Sequence, residues 1–197
     1  MITIGVLALQ GAVKEHLDRL NSLPDVAGLA VKKAADLNNI DGLILPGGES
    51  TTIGKLLREF NLSPILIDKI NRGLPVWGTC AGMILLAKAI IGEETRHLGV
   101  MDICVRRNAY GSQLDSFATE LVIPKVSSSP VPLVFIRAPY VEETGKDVQI
   151  LARVDGKIVA VEQGNMLATA FHPELTDDLT FHRYFAEKVR KNKNSEK

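Results

Sequence analysis

The chain has 197 residues, 46% of them hydrophobic, and its 23 basic and 23 acidic residues cancel to a formal charge of zero. That length and composition predict one domain with a substantial core and exclude a disordered chain, and the neutral balance argues against a broad nucleic-acid footprint. Two cysteines, Cys80 and Cys104, are too few for a disulfide framework or a multi-thiolate zinc site, and no apolar run is long enough to span a bilayer as a helix. Residues 2–9 form a continuous apolar run, the pattern of a strand buried on both faces in a parallel sheet. Val13, Leu17 and Leu20 recur at helical spacing. Strands are predicted at 26–31, 41–45 and 74–77, and helices at 51–60, 65–71 and 83–91. This alternation predicts an open α/β sheet flanked by helices.

The rhythm changes after about residue 100. Strands are predicted at 103–107, 117–123, 133–136, 148–154, 157–162 and 166–171, with hairpin turns at Asp155-Gly156 and Gly164-Asn165. Ser127-Ser128-Ser129-Pro130 reads as a loop, and 179–189 as a closing helix. The expectation is an open, mixed, largely parallel sheet with a β-rich second half. Residues 1–190 read as a single domain and the basic segment 191–197 as a frayed tail. No basic region precedes the apolar start, and the first lysine is Lys14, so no signal peptide is read. The expected setting is the cytoplasm, with reduced thiols.

Gly78-Thr79-Cys80-Ala81-Gly82 follows a predicted strand and opens a predicted helix. This is the nucleophile-elbow pattern with cysteine in place of serine. Glycines on either side remove Cβ atoms that a sharp strand-to-helix turn has no room for. The helix N-terminus behind Cys80 favours a thiolate. Cys104, inside a strand, reads as core. A cysteine nucleophile needs a base, and the base an orienting partner. Phe171-His172-Pro173-Glu174 supplies both: Pro173 biases His172 to an extended conformation, which places His172 and Glu174 on one face. His16, His97 and His182 have no partner at that spacing and read as structural or exposed. Gly47-Gly48-Glu49-Ser50, after the third strand, offers backbone donors for an oxyanion. Gly48 to Lys55 mimics a phosphate loop, but its glycines are one residue too far apart and Leu56 stands in the Ser/Thr position. Arg107 and Arg137 end apolar runs and read either as surface ion pairs or as bidentate carboxylate ligands.

Together these residues resemble the triad-type glutamine amidotransferase family, which combines a Gly-x-Cys-x-Gly elbow, a later His-Pro-Glu and an upstream Pro-Gly-Gly loop. Gly5-Val6-Leu7-Ala8-Leu9-Gln10-Gly11, Gly48-Glu49-Ser50-Thr51-Thr52, Arg107-Asn108 and Ile136-Arg137-Ala138-Pro139 narrow the resemblance to the glutaminase subunits of two-subunit pyridoxal 5′-phosphate synthases. Met83 stands where many of these have Leu, a volume-conserving difference. The resemblance implies a class I glutamine amidotransferase-like fold. It implies Cys80 as nucleophile, His172 as acid/base and Glu174 as its partner. It implies a glutamine site at Gly48, Glu49, Ser50, Arg107, Ile136 and Arg137, with an oxyanion held by Gly47, Gly48 and Ala81. Gln10 would couple that site to a partner. The ammonia would pass to a separate synthase subunit, which makes the coenzyme from a pentose phosphate and a triose phosphate, and the free chain would be nearly inactive. No metal or organic cofactor is implied in this chain, since pyridoxal phosphate is the product of the complex. Two alternatives stay open: an amidotransferase subunit for another pathway, such as histidine or purine synthesis, and a non-catalytic glutamine-binding module.

Overall fold

A computed structural model describes residues 1–107 and 116–195. Its first half is β1 (Ile2–Leu7), α1 (Val13–Asn21), β2 (Val26–Val31), β3 (Gly42–Leu45), α2 (Ser50–Glu59), α3 (Leu62–Asn71), β4 (Val76–Thr79) and α4 (Ala81–Leu86). The second half is β5 (Ala87–Ile90), β6 (Met101–Arg106), β7 (Ser116–Ile123), β8 (Ser127–Ile136), β9 (Tyr140–Thr144), β10 (Gln149–Val154), β11 (Lys157–Gln163), β12 (Met166–Thr169) and α5 (Thr180–Ser195). Short 3-10 turns occupy Ala34–Asn38 and Pro173–Leu175.

One sheet runs β2-β1-β3-β4-β12-β11-β9-β6-β5, with β10 joined to β11. Strands β2, β1, β3, β4 and β12 are mutually parallel neighbours. Every residue of β3, β4 and β12 is buried, as a strand covered on both faces must be. β12 comes late in the chain but inserts beside β4, so the β-rich second half grows out of the same sheet. Strands β7 and β8 form a separate antiparallel ribbon. It is fastened to the body by rings: Phe117 stacks on Phe135, Phe135 meets Phe171 edge-on, and Phe171 meets Phe181 of α5.

Four expectations differ from the structure. The helix expected over 83–91 ends at Leu86, and Ala87–Ile90 is a strand. Ala87, Ala89 and Ile90 pair with Met101, Cys104 and Val105, and this ladder overrides the helical composition of a short apolar run. Ser127 to Pro130 lie inside β8; a two-stranded ribbon leaves one side of each strand free of pairing, so Pro130 and Pro132 fit despite lacking an N–H. β9 was absent from the expectation, and it pairs with both β6 and β11. The segment expected to fray is helical through Ser195, where Lys193 pairs with Asp41 at 3.0 Å. Asn108 lies outside the described residues.

One of the tightest backbone approaches is at the start of α4. A Cβ on Gly82 would fall on the Leu45 carbonyl oxygen, and one on Gly78 would fall on the Gly82 backbone. Gly82→Ala should therefore lower the unfolding free energy by about 1–3 kcal/mol or more, despite the better helix propensity of Ala. Chemical denaturation measures it, and an unchanged midpoint would remove the steric argument.

Candidate active site

The C-terminal ends of four adjacent parallel strands meet at one place. β1 leads to Gln10, β3 to Gly47-Gly48, β4 to Cys80 and β12 to His172. Open α/β sheets bind ligands outside the carboxyl ends of their strands. A cavity of about 380 Å³ opens there. Gln10, Gly47, Gly48, Glu49 and Ser50 line one side. Cys80, Ala81 and His172 line its base, and Arg107, Ile136 and Arg137 complete it. Glu174 is 1% exposed and sits behind His172, out of the cavity. Leu175, Ile84 and Pro139 also line it, and the sequence assigns none of them a site role.

Cys80 has φ 48° and ψ −103°, far from regions an L-residue adopts freely. Its N–H donates to the Thr169 carbonyl at 2.8 Å, and its carbonyl accepts from Met83 at 3.1 Å. The turn is thus held between β12 and α4. Ala81 is the first residue of α4, where a backbone N–H has no intrahelical acceptor.

His172 donates its backbone N–H to Val134 of β8 at 2.8 Å. Its Nδ1 lies 2.7 Å from Glu174 Oε1, and the ring lines the same cavity as Cys80. The pairing is the expected one, but the local geometry is not. His172 is extended (φ −110°, ψ 82°), whereas Glu174 sits inside a 3-10 turn opened by Pro173. Pro173 supplies the fixed φ that starts this turn. Burial pushes the His172 pKa down, yet Cys80 and Glu174 outweigh burial and raise it from 6.5 to about 10. Burial likewise works against the Glu174 charge, but His16 and His172 hold its carboxyl below the ordinary range.

The glycine loop is firmly tied. The Gly47 N–H donates to Thr79 Oγ1 at 3.0 Å, so it is already taken in this state. The Gly47 carbonyl accepts from Ala12 at 2.9 Å. In a planar trans peptide the following Gly48 N–H points the opposite way, away from Ala12. Gln10 Oε1 accepts from the Glu49 N–H at 2.8 Å. Ser50 Oγ is buried with no hydrogen-bond partner. Arg107 donates to Glu93 Oε1 at 3.0 Å and lies 3.5 Å from Glu49 Oε1. It is thus ion-paired, as one of the two sequence readings has it, and it also lies at the cavity wall. Arg137 has φ 44°, which turns the chain at the end of β8.

Of the histidines read as structural or exposed, two are structural, and their contacts with the site have no counterpart in the sequence reading. His16 and His182 are fully buried, and His16 reaches Thr79, His182 and Glu174. A histidine on the inward stripe of α1, in phase with Leu20, was the available signal.

Residues 6–191 match the SNO glutamine amidotransferase family. The chain belongs to that family. A family member named pyridoxal 5′-phosphate synthase subunit PdxT, from Ruminiclostridium cellulolyticum, is 60% identical over 189 residues, covering 96% of this chain and 100% of that one. A protein of the same name from Clostridium botulinum is 56% identical over 193 residues, covering 98% and 100%. A solved glutamine amidotransferase superimposes with a TM-score of 0.89 at 44% identity, covering 95% of this chain and 98% of that one. PurLQS from Thermotoga maritima, at 16% identity and a TM-score of 0.66 over the whole of both chains, shares the fold.

Two outcomes follow from the family site as it is built here. Cys80→Gly should be more stable than Cys80→Ala by about 1 kcal/mol, reversing the usual order, because glycine relieves the positive φ; equal denaturation midpoints would show an unstrained turn. The His172 imidazole should remain doubly protonated at pH 8 in ¹⁵N NMR, with its midpoint near 10, and the midpoint should fall in Cys80→Ser and in Glu174→Gln. The sign for stability follows from the raised value. The contribution of charged His172 is complete below 6.5 and is lost as pH rises through about 10.

Proposed function

We propose that this chain is a glutaminase that hydrolyses L-glutamine to L-glutamate and ammonia through a cysteine thioester, and that it passes the ammonia to a synthase subunit making pyridoxal 5′-phosphate. The observation that carries the chemistry is the row Cys80–His172–Glu174 at the base of the cavity, with Cys80 on a strained turn. The relatives named as pyridoxal 5′-phosphate synthase subunits, at up to 60% identity, support the pathway.

In this proposal the Cys80 thiolate attacks the side-chain amide carbon of glutamine. The tetrahedral oxyanion is held by the Gly48 and Ala81 N–H groups; Gly47 joins only if its bond to Thr79 opens. The imidazolium of His172 gives its Nε2 proton to the departing amide nitrogen, so ammonia leaves and a γ-glutamyl thioester remains. Neutral His172 then takes a proton from water as the water attacks the thioester. Collapse expels the Cys80 thiolate and glutamate, restoring the thiolate–imidazolium pair. Glu174 fixes the imidazole tautomer throughout. Arg107, Ser50 and the Glu49 and Arg137 segments take the amino-acid end of glutamine, with the unpartnered Ser50 hydroxyl as a ready donor. The side chain of Ile136 packs against it from the ribbon. Gln10, bonded to the loop at Glu49, is proposed to pass partner docking on to the oxyanion donors. Residues 1–190 act as one amidotransferase domain. We place the reaction in the cytoplasm, where Cys80 stays reduced; among the described residues no helix is long and apolar enough to cross a membrane.

A glutaminase assay with and without the synthase subunit tests this. Ammonia release should be strong only in the complex. Cys80→Ala should lower it at least about 1000-fold, while Cys104→Ala stays within about twofold. Iodoacetamide should label Cys80 and spare Cys104, whose thiol pKa is raised by burial and by Glu143 and Glu142. Retained activity in Cys80→Ala would end the nucleophile assignment.

A further inference from the structure

Glu174 uses one carboxylate oxygen on His172, and its Oε2 is buried with no hydrogen bond. A buried carboxylate oxygen left bare is costly. His16 Nε2 lies 3.5 Å from Oε2 and 3.1 Å from Thr79 Oγ1. On its other side, His16 Nδ1 lies 3.0 Å from His182 Nε2. The tautomers follow from satisfying these groups. If His16 carried its proton on Nδ1, it would turn a lone pair toward Glu174 and force a proton onto His182 Nδ1, which is buried without an acceptor. With the proton on His16 Nε2, that N–H faces Glu174 Oε2 and Thr79 Oγ1 together, and His182 Nε2–H donates to His16 Nδ1. That leaves a bare ring nitrogen on His182 in place of an orphan N–H, which is cheaper to bury, and sets the His16 N–H at a long 3.5 Å contact with Glu174 Oε2.

We infer that His16 is a positioning residue of the glutaminase site, its neutral Nε2–H holding the second oxygen of Glu174 and, through Thr79, the glycine loop in register with the triad. This rests on the glutaminase reading above and extends it to α1. The helix is well placed for the role. Arg19, one turn on, reaches the Glu174 carbonyl at 3.4 Å, and Ala12, just before the helix, donates to the Gly47 carbonyl. Thr79 Oγ1 takes the Gly47 N–H and meets His16 at the same atom. One side chain thereby joins the base side of the site to the oxyanion side. Burial lowers the His16 pKa against the pull of Glu174, with His172 also lowering it and Glu15 raising it. His182 is pushed well below its ordinary value by burial, His16 and Arg19. Both rings are therefore neutral at working pH and act as oriented hydrogen bonders.

The test compares His16→Gln with His16→Asn. Both carry the same amide, but only the glutamine amide reaches where Nε2 lies; the asparagine amide falls at the Nδ1 position, facing His182. In complex with the synthase subunit, His16→Gln should keep kcat within about threefold, and His16→Asn should lower it roughly 10–100-fold with KM for glutamine little changed. In a Glu174→Gln background the difference between the two should shrink to less than about threefold, because His16 acts through Glu174. Iodoacetamide alkylation of Cys80 in the free chain should rank the variants the same way, so this reading can fail or stand even if the complex proves not to be a glutaminase. Equal kcat and equal alkylation rates for the two variants, or a difference that survives in the Glu174→Gln background, would overturn it.

Discussion

The contact on which everything else depends is between backbones. Gly82, at the start of α4, lies so close to the Leu45 carbonyl at the end of β3 that no side chain fits, and Gly78 in turn lies too close to the Gly82 backbone to carry one. This crowding forces β4 to turn into α4 within one residue, and that residue is Cys80, left at φ 48°. The strain is balanced by the Cys80 N–H bond to Thr169 and by the burial of α4, every residue of which is inside. A looser turn would let Cys80 relax and would move its sulfur away from His172.

The second constraint is the order of the strands. Because β1, β3, β4 and β12 are parallel neighbours, their following loops emerge on one edge without long connections. β12 is delivered to β4 only after the chain has built the β-rich half, and α5 and the ring series from Phe117 to Phe181 keep it there. The ribbon β7–β8 serves the site through Val134, which takes the His172 N–H, and through Ile136 and Arg137 at the cavity wall. Between these strands α1 braces the glycine loop at Ala12 and the Glu174 turn at His16 and Arg19.

Much of this was legible in residue order, for stated reasons. Continuous apolar runs mark β1, β3 and β12 because double burial leaves no room for polar alternation. The Gly-x-Cys-x-Gly spacing carried the elbow because only glycine tolerates that backbone approach. His172-Pro173-Glu174 carried the pairing, though the geometry that achieves it is a 3-10 turn begun by Pro173 rather than an extended segment. Three things were hidden. Ala87–Ile90 looks helical until β6 is beside it to pair with. Ser127 to Pro130 look like a loop until the ribbon is seen to have free edges. The His16–His182 pair is 166 residues apart in sequence and becomes a pair only when α5 folds back on α1. Commitment of the Gly47 N–H to Thr79 is equally invisible before β3 and β4 are aligned.

The account stands most directly on a covalent intermediate at one sulfur. Acid quenching of the complex during glutamine turnover, followed by peptide mass spectrometry, tests it. The account predicts a γ-glutamyl adduct on Cys80 that hydroxylamine removes and that is absent from Cys104. Steady ammonia release with no adduct on Cys80 at any quench time, and with turnover intact in Cys80→Ser, would contradict it.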